Sequence, residues 1–420
     1  MNLEWSEAHT PRLRVYCRYC ESLSQQQPIL TVNKGPERDR WCKCVCGTLN
    51  TLDLEKAPDY SVVEDETSFF MRLDQADSAD GVIGPATRFS PTAAMPFVDV
   101  GCGLGFAADY MRWTGIDSLG IDPSRASWLA AEALGMPVAN SPSVTDLSQD
   151  PRDRFVLLSE VIEHVESPRA LLASLFEVVG PSGMLLVTTP DADSINRSAK
   201  EAHVLAAIGS GQHLFLLGEA QLRQALADTG FVVSETWTDA GRLFAVASRS
   251  RIPASGEFDR VAYRSYLQAR LEDRFKPDQG QPDLVARAFG ARLFKDLVHG
   301  GEYQAAERVF EVLTSVFRRL DLDLSEPRVL AQRYGEVVDA HLNIPNPRLA
   351  PMSGPMLCYL RAIQLAHRES PMSDVAAYLD ASVRLAALYA NGSPWQVVDL
   401  EIASLSNVVA KTRSDLGLGV

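Results

Sequence analysis

The sequence predicts an α/β domain with a mostly parallel sheet ending in an antiparallel hairpin, preceded by a small cysteine-rich module and followed by an all-α domain. Three observations predict it. From Pro96 to Arg249 short apolar runs alternate with amphipathic stretches, as in strands covered by helices. The last two runs of that region are separated only by Asp239-Ala240-Gly241, too few residues for a parallel crossover. Beyond residue 257 nearly every segment has helical periodicity and strand patterns cease.

Residues 1–56 form the first expected module. Five of the seven cysteines fall between Cys17 and Cys46, in Cys17-Arg18-Tyr19-Cys20 and Cys42-Lys43-Cys44-Val45-Cys46-Gly47. The segment has few apolar residues, so an independent fold calls for a staple such as zinc. Cys17, Cys20 and Cys46 with either Cys44 or Cys42 offer the four thiolates of a tetrahedral site, a structural zinc being expected ahead of a redox pair or an iron–sulfur cluster. Residues 57–92 read as a connector whose Phe69-Phe70-Met71 lies on a helix packed onto the next domain.

The α/β domain is expected over 93–250. Its strands are read at Phe97–Val100, Ser118–Ile121, Phe155–Leu158, Met184–Thr188, Phe231–Thr236 and Leu243–Ser248. Ile252 to Gly256 is a linker, and 257–420 a helical domain of about seven helices. No repeat of 34 residues marks it as a peptide-binding array, so packing, self-association or a protein partner is the expectation for these helices.

The 420 residues suit two or three domains at about 100–200 residues each. Forty Lys and Arg against 54 Asp and Glu leave a net charge of −14, which argues against a general nucleic-acid binder. No apolar run approaches the ~20 residues of a membrane span, and the first residues lack the order of a secretory signal. With cysteines too few for a disulfide scaffold, a cytoplasmic location is expected.

The segment that carries chemistry is Val98-Asp99-Val100-Gly101-Cys102-Gly103-Leu104-Gly105, a strand running into a glycine turn and a helix. Such a turn brings backbone N–H groups and a helix N-terminus up to a polar ligand. Phe106 stands where a dinucleotide fingerprint would need its third glycine, so another ligand is favoured.

This segment resembles the first motif of the class I S-adenosylmethionine-dependent methyltransferases, with their Rossmann-like seven-stranded sheet. Three more segments follow in that family's order: Leu119-Gly120-Ile121-Asp122-Pro123-Ser124, Leu158-Ser159-Glu160-Val161-Ile162-Glu163-His164, and Val179 to Pro190. Asp122 lies 17 residues past Gly105, the spacing of one helix and one strand. The resemblance covers residues 95–249 and implies S-adenosylmethionine as cofactor. It implies contacts from Asp99, Gly101, Cys102, Gly103, Gly105, Asp122, Pro123 and Ser159, with Asp122 on the ribose and Asp99 orienting the methionine amino group. The sequence departs from the family twice. The acid expected on the adenine has only Asp146 near its place, and the usual Phe-Asp pair opening the fourth strand is Phe155-Val156.

His213, His164 and Glu160 are the candidate proton acceptors for a hydroxyl or amine nucleophile. His213 ranks first, because its loop follows the fifth strand, where relatives cover the acceptor. A divalent ion on Glu160, Glu163 and His164, as in some quinone O-methyltransferases, is the alternative. Residues 17–47 also resemble zinc ribbons on some sugar-modifying methyltransferases, apart from the spacing of the second cysteine pair. That likeness implies a sugar, nucleotide-sugar, glycan or related small metabolite as acceptor. RNA methylation and a non-catalytic scaffold are the competing functions.

Overall fold

The computed structural model describes residues 2–34, 37–63, 66–74, 80–89, 95–139, 152–252, 256–272, 282–340, 343–389 and 400–418. It divides into two compact units, the first made of Met1–Val63, Val82–Trp128 and Met136–Phe258, the second of Glu64–Gly81, Leu129–Gly135 and Asp259–Val420.

The first unit contains two sheets. The chemistry-bearing one has seven strands: β6 (Phe97–Val100), β7 (Ser118–Ile121), β8 (Val138–Ala139), β9 (Phe155–Ser159), β10 (Met184–Pro190), β12 (Val232–Asp239) and β13 (Arg242–Ser248). They run in the order β12-β13-β10-β9-β6-β7-β8. The strands from β10 to β8 are parallel, while β13 pairs antiparallel with both β10 and β12. All of β6 and β10, and all but the last residue of β9, are buried. Continuous apolar runs of this kind are what a sheet covered on both faces requires. The six strands read from the sequence all form. The two-residue β8 is too short to leave a pattern.

Residues 1–56 form a sheet of their own with an outside contribution. β1 (Asn2–Trp5), β3 (Ser22–Lys34), β4 (Glu37–Lys43) and β5 (Leu49–Thr51) follow one another, β2 (Leu13–Cys17) pairs with β3, and β11 (Phe215–Leu216) adds to β5. Leu30, Val32, Trp41 and Leu49 pack with Ala192, Val204, Ile208 and Leu216. The module read as too poor in apolar residues for a core therefore shares one with residues more than 140 positions downstream. Burial of this kind contributes about 1.5–3 kcal/mol per large side chain.

The second unit is helical, with Arg260–Glu272, Ala291–His299, Tyr303–Arg318, Pro327–Glu336, Gly354–His367, Met372–Tyr389 and Leu400–Asp415 as its longer helices. The expected connector is split between the units. Its helix Glu66–Asp74 belongs to the helical unit, where Asp74 forms a buried two-pronged ion pair with Arg287 and accepts a bond from the Met352 N–H at 2.7 Å. Phe69 and Phe70 are buried on that helix, which reads as a connector in the sequence and groups with the helical unit. The helix breaks read at Lys276-Pro277 and Asn391-Gly392 lie outside the described residues.

Candidate active site

β6 is the point from which the chain winds in opposite directions, to β7 and β8 on one side and to β9 and β10 on the other. Ligands of open α/β sheets bind at the carboxyl ends of strands at such a point. Asp99 lies in β6, Gly101 to Gly105 follow it, Asp122 and Pro123 follow β7, and Ser159 and Glu160 end β9.

The turn is shaped by its residue types. Gly101 has φ +72°, and a Cβ there would stand 2.3 Å from Val161 Cγ2. No side chain fits. Gly105 is the N-cap of the helix Phe106–Trp113. The Asp122 carboxylate, 8% exposed, accepts the Gly103 N–H at 2.9 Å and the Ser124 N–H at 2.8 Å. These bonds tie the acid to the turn and leave its remaining lone pairs for a diol. Asp99 is 5% exposed, and burial, with the Asp122 charge adding to it, pushes its carboxyl up to about 8. At neutral pH it is mostly protonated. Ser159 Oγ lies 2.8 Å from Thr188 Oγ1, which donates to Glu160 Oε1 at 3.0 Å. Arg242 Nε stands 3.3 Å from the same carboxylate. Glu160 has φ +54°, a costly conformation for a residue with a side chain and one that clusters at functional sites. Cys102 is half-buried beside the turn, and Asp146 lies outside the described residues.

The two histidines come together with their rings edge to face at 4.6 Å. His213 is buried at 8% exposure, its Nδ1 donates to the Ala207 carbonyl at 2.9 Å, and desolvation pushes it down to about 4. It is a packed, neutral imidazole, which does not suit the first-ranked proton acceptor expected. The His164 side chain keeps 16% exposure, with Nδ1 2.6 Å from Tyr60 Oη and 3.1 Å from the Gln212 carbonyl. Glu163 is fully buried, accepts from Thr189 Oγ1 at 3.0 Å, and is held well above the ordinary carboxyl range by burial and by Glu160. Its Oε1 stands 3.9 Å from His164 Nε2. Ligand atoms of Glu163, His164 and His213 lie within 4.8 Å of one another, and Glu160 is outside that group.

The second constellation is the sulfur cluster, in which the Sγ atoms of Cys17, Cys20, Cys44 and Cys46 lie within 4.8 Å of one another. Cys17 Sγ and Cys46 Sγ are 3.7 Å apart. Two thiolates on one tetrahedral zinc at about 2.3 Å stand about 3.8 Å apart, so the spacing fits that ion. A reverse turn, Gly47 N–H to Cys44 O at 2.9 Å, accommodates the single residue between Cys44 and Cys46. Hydrogen bonding to Cys17 pulls the Cys46 thiol below the ordinary thiol range. Cys42 is buried outside this group, and so is Cys358 in the helical unit.

Tyr60 and Arg242 were not singled out in the sequence, and Thr188 and Thr189 were read only as part of the Val179–Pro190 segment. Each lies far along the chain from the group it touches, and none carries a spacing that could have pointed to it.

A family model described as a methyltransferase domain matches residues 82–236. Among curated proteins the chain is similar to the ubiquinone biosynthesis O-methyltransferase of Azorhizobium caulinodans, 28% identical over 38% of this chain and 66% of that protein. It is 31% identical to the protein of the same name from Rhodopseudomonas palustris, over 36% of this chain and 63% of that one. The chain spans less than two thirds of the length of either relative. Among solved structures, magnesium protoporphyrin IX methyltransferase from Synechocystis with bound SAH is matched over 44% of this chain and 88% of that chain, at 20% identity and a TM-score of 0.32. Among the described residues no helix is long and apolar enough to cross a membrane.

Proposed function

We propose that the domain matched over residues 82–236 moves a methyl group from S-adenosylmethionine to a hydroxyl of a small molecule. The observation that carries the reading is the Asp122 carboxylate, bonded to the Gly103 N–H beside the turn at the carboxyl end of β6. An acid so placed accepts two hydrogen bonds from a ribose diol.

When bound, S-adenosylmethionine would supply an electrophilic methyl group on a sulfonium, with a neutral thioether as the leaving group. The residues of the chain do the rest. Asp99, largely neutral before binding, orients a cationic group and loses its proton to do so. Ser159 and Glu160, fixed through Thr188 and Arg242, close the turn from the β9 side. A hydroxyl nucleophile must shed its proton, and His164 takes it, because it keeps exposure that the buried His213 lacks. His213 instead braces the His164 ring. Excluding water here strengthens every charge contact.

The acceptor is assigned as a hydroxyl on the name shared by the two curated relatives, which are O-methyltransferases. A sugar-linked acceptor rested on the cysteine module alone, and neither relative supports it. Zinc on Cys17, Cys20, Cys44 and Cys46 is proposed as structural, closed by four protein ligands.

The test is transfer of labelled methyl from the cofactor to a panel of catechols, sugar nucleotides and total RNA. Label in a methyl ether of a small hydroxylated acceptor is expected. Label in RNA, or in none of the panel, would overturn the assignment.

A further inference from the structure

Asp39 in β4 is a buried acid, 6% exposed, in the cysteine-bearing sheet. Among the described residues no Lys or Arg forms an ion pair with it. Its two oxygens are served by hydroxyls from different parts of the chain. Thr51 Oγ1 donates to Oδ1 at 2.7 Å, and Ser210 Oγ donates to Oδ2. A buried carboxyl group is costly to leave without hydrogen-bond partners, so this pairing holds its two donors in place.

Ser210 opens the turn that leads into the histidine pair. The ring of His213 lies against Gly209, where a Cβ would stand 2.4 Å from it and where φ is +49°. The Gln212 carbonyl touches His164 Nδ1, and the Leu214 N–H donates to the Glu163 carbonyl at 2.9 Å. Thr51, the other donor to Asp39, gives its N–H to the Leu214 carbonyl at 3.2 Å, and Leu49 and Asn50 pair with Leu216 and Phe215 in β11. Residues 210–216 are thus held on one side by the β9 turn bearing Glu163 and His164, and on the other by the cysteine-bearing sheet. Asp39 joins the two grips.

We propose that Asp39 is a positioning residue for the acceptor side of the methyl-transfer site: through Ser210 its carboxylate fixes the turn that sets Gln212 and His213 against His164. The cysteine-bearing sheet is then part of the site's framework rather than an appended module. The role given to Asp39 rests on the reading of His164 as the acceptor-side base.

The experiment uses the full chain with Asp39→Ala, Ser210→Ala and Ser210→Thr. It reads amide hydrogen exchange over residues 210–216, the imidazole NMR signals of His164 and His213, and S-adenosylmethionine binding by calorimetry. Asp39→Ala and Ser210→Ala are each expected to speed exchange there by about tenfold or more, and to move both imidazole signals. Ser210→Thr keeps the hydroxyl and restores both, while cofactor affinity stays within about twofold in all three. Unchanged exchange and unmoved imidazole signals in Ser210→Ala would overturn the proposal, as would failure of Ser210→Thr to restore them. If Asp39→Ala does not fold, the serine pair decides alone. Wild-type protein that binds no cofactor would sink the methyltransferase reading, whereas exchange and imidazole signals still report whether Asp39 sets this turn.

Discussion

Replacing Asp99 by Asn tests whether this acid is kept neutral in the folded chain. The ordinary value of 3.8 is raised to about 8, mainly by burial and secondly by Asp122. A free carboxyl in the unfolded chain loses its proton near 3.8, while the folded one keeps it until about pH 8. Between those values the folded state binds the extra proton, so its stability falls as pH rises and levels off above pH 8. Four units at 1.36 kcal/mol each make the full penalty on the order of 5 kcal/mol. Asn fills the same volume without titrating. Asp99→Asn is therefore expected to gain a few kcal/mol over the wild type at pH 8.5, with the gap shrinking steadily toward pH 4.5. Urea unfolding of both proteins at pH 4.5, 6, 7.5 and 8.5 measures it. A gap that stays constant across that range would refute a buried neutral Asp99.

The same acid should release a proton when the cationic cofactor binds at pH 7. Calorimetry in buffers of differing ionisation enthalpy would detect it in the wild type and not in Asp99→Asn. His213 has the opposite sign: its depressed value, about 4 against 6.5, means stability is lost as pH falls from 6.5 toward 4, by about 3 kcal/mol in all. Acid unfolding of His213→Asn should show a weaker loss over that window, and an identical profile would contradict burial of the ring. His164→Asn should slow labelled methyl transfer about 10²–10³-fold at unchanged cofactor affinity, and His213→Asn less; the reverse ranking would return the proton-accepting role to His213. Anaerobically purified protein should hold about one zinc per chain, and Cys17→Ser should lose it; metal analysis finding none in the wild type would reject the sulfur site.

Much of this was legible in the sequence because it is carried by local pattern. The strands from Phe97 to Ser248 announce themselves as apolar runs, and Gly101 and Asp122 as members of ordered motifs. Cys17, Cys20, Cys44 and Cys46 meet because short antiparallel strands return each pair to the same end of one sheet, although spacing could not choose between Cys42 and Cys44. What stayed hidden depends on contacts between distant segments. β11 is two residues long, yet it ties residues 1–56 to the α/β domain. His213 reads as the proton acceptor of a loop that follows the fifth strand, but Asp39, with Thr51 on its other oxygen, holds that loop through Ser210. Periodicity carries no trace of either contact.

Isothermal calorimetry of S-adenosylmethionine with the wild type and with Asp122→Ala tests the methyl-transfer assignment most directly. The account predicts measurable binding to the wild type and a loss of about 2–4 kcal/mol in the variant, as two hydrogen bonds to a charged acceptor disappear. Equal affinity in the two proteins, or no binding to either, would contradict it.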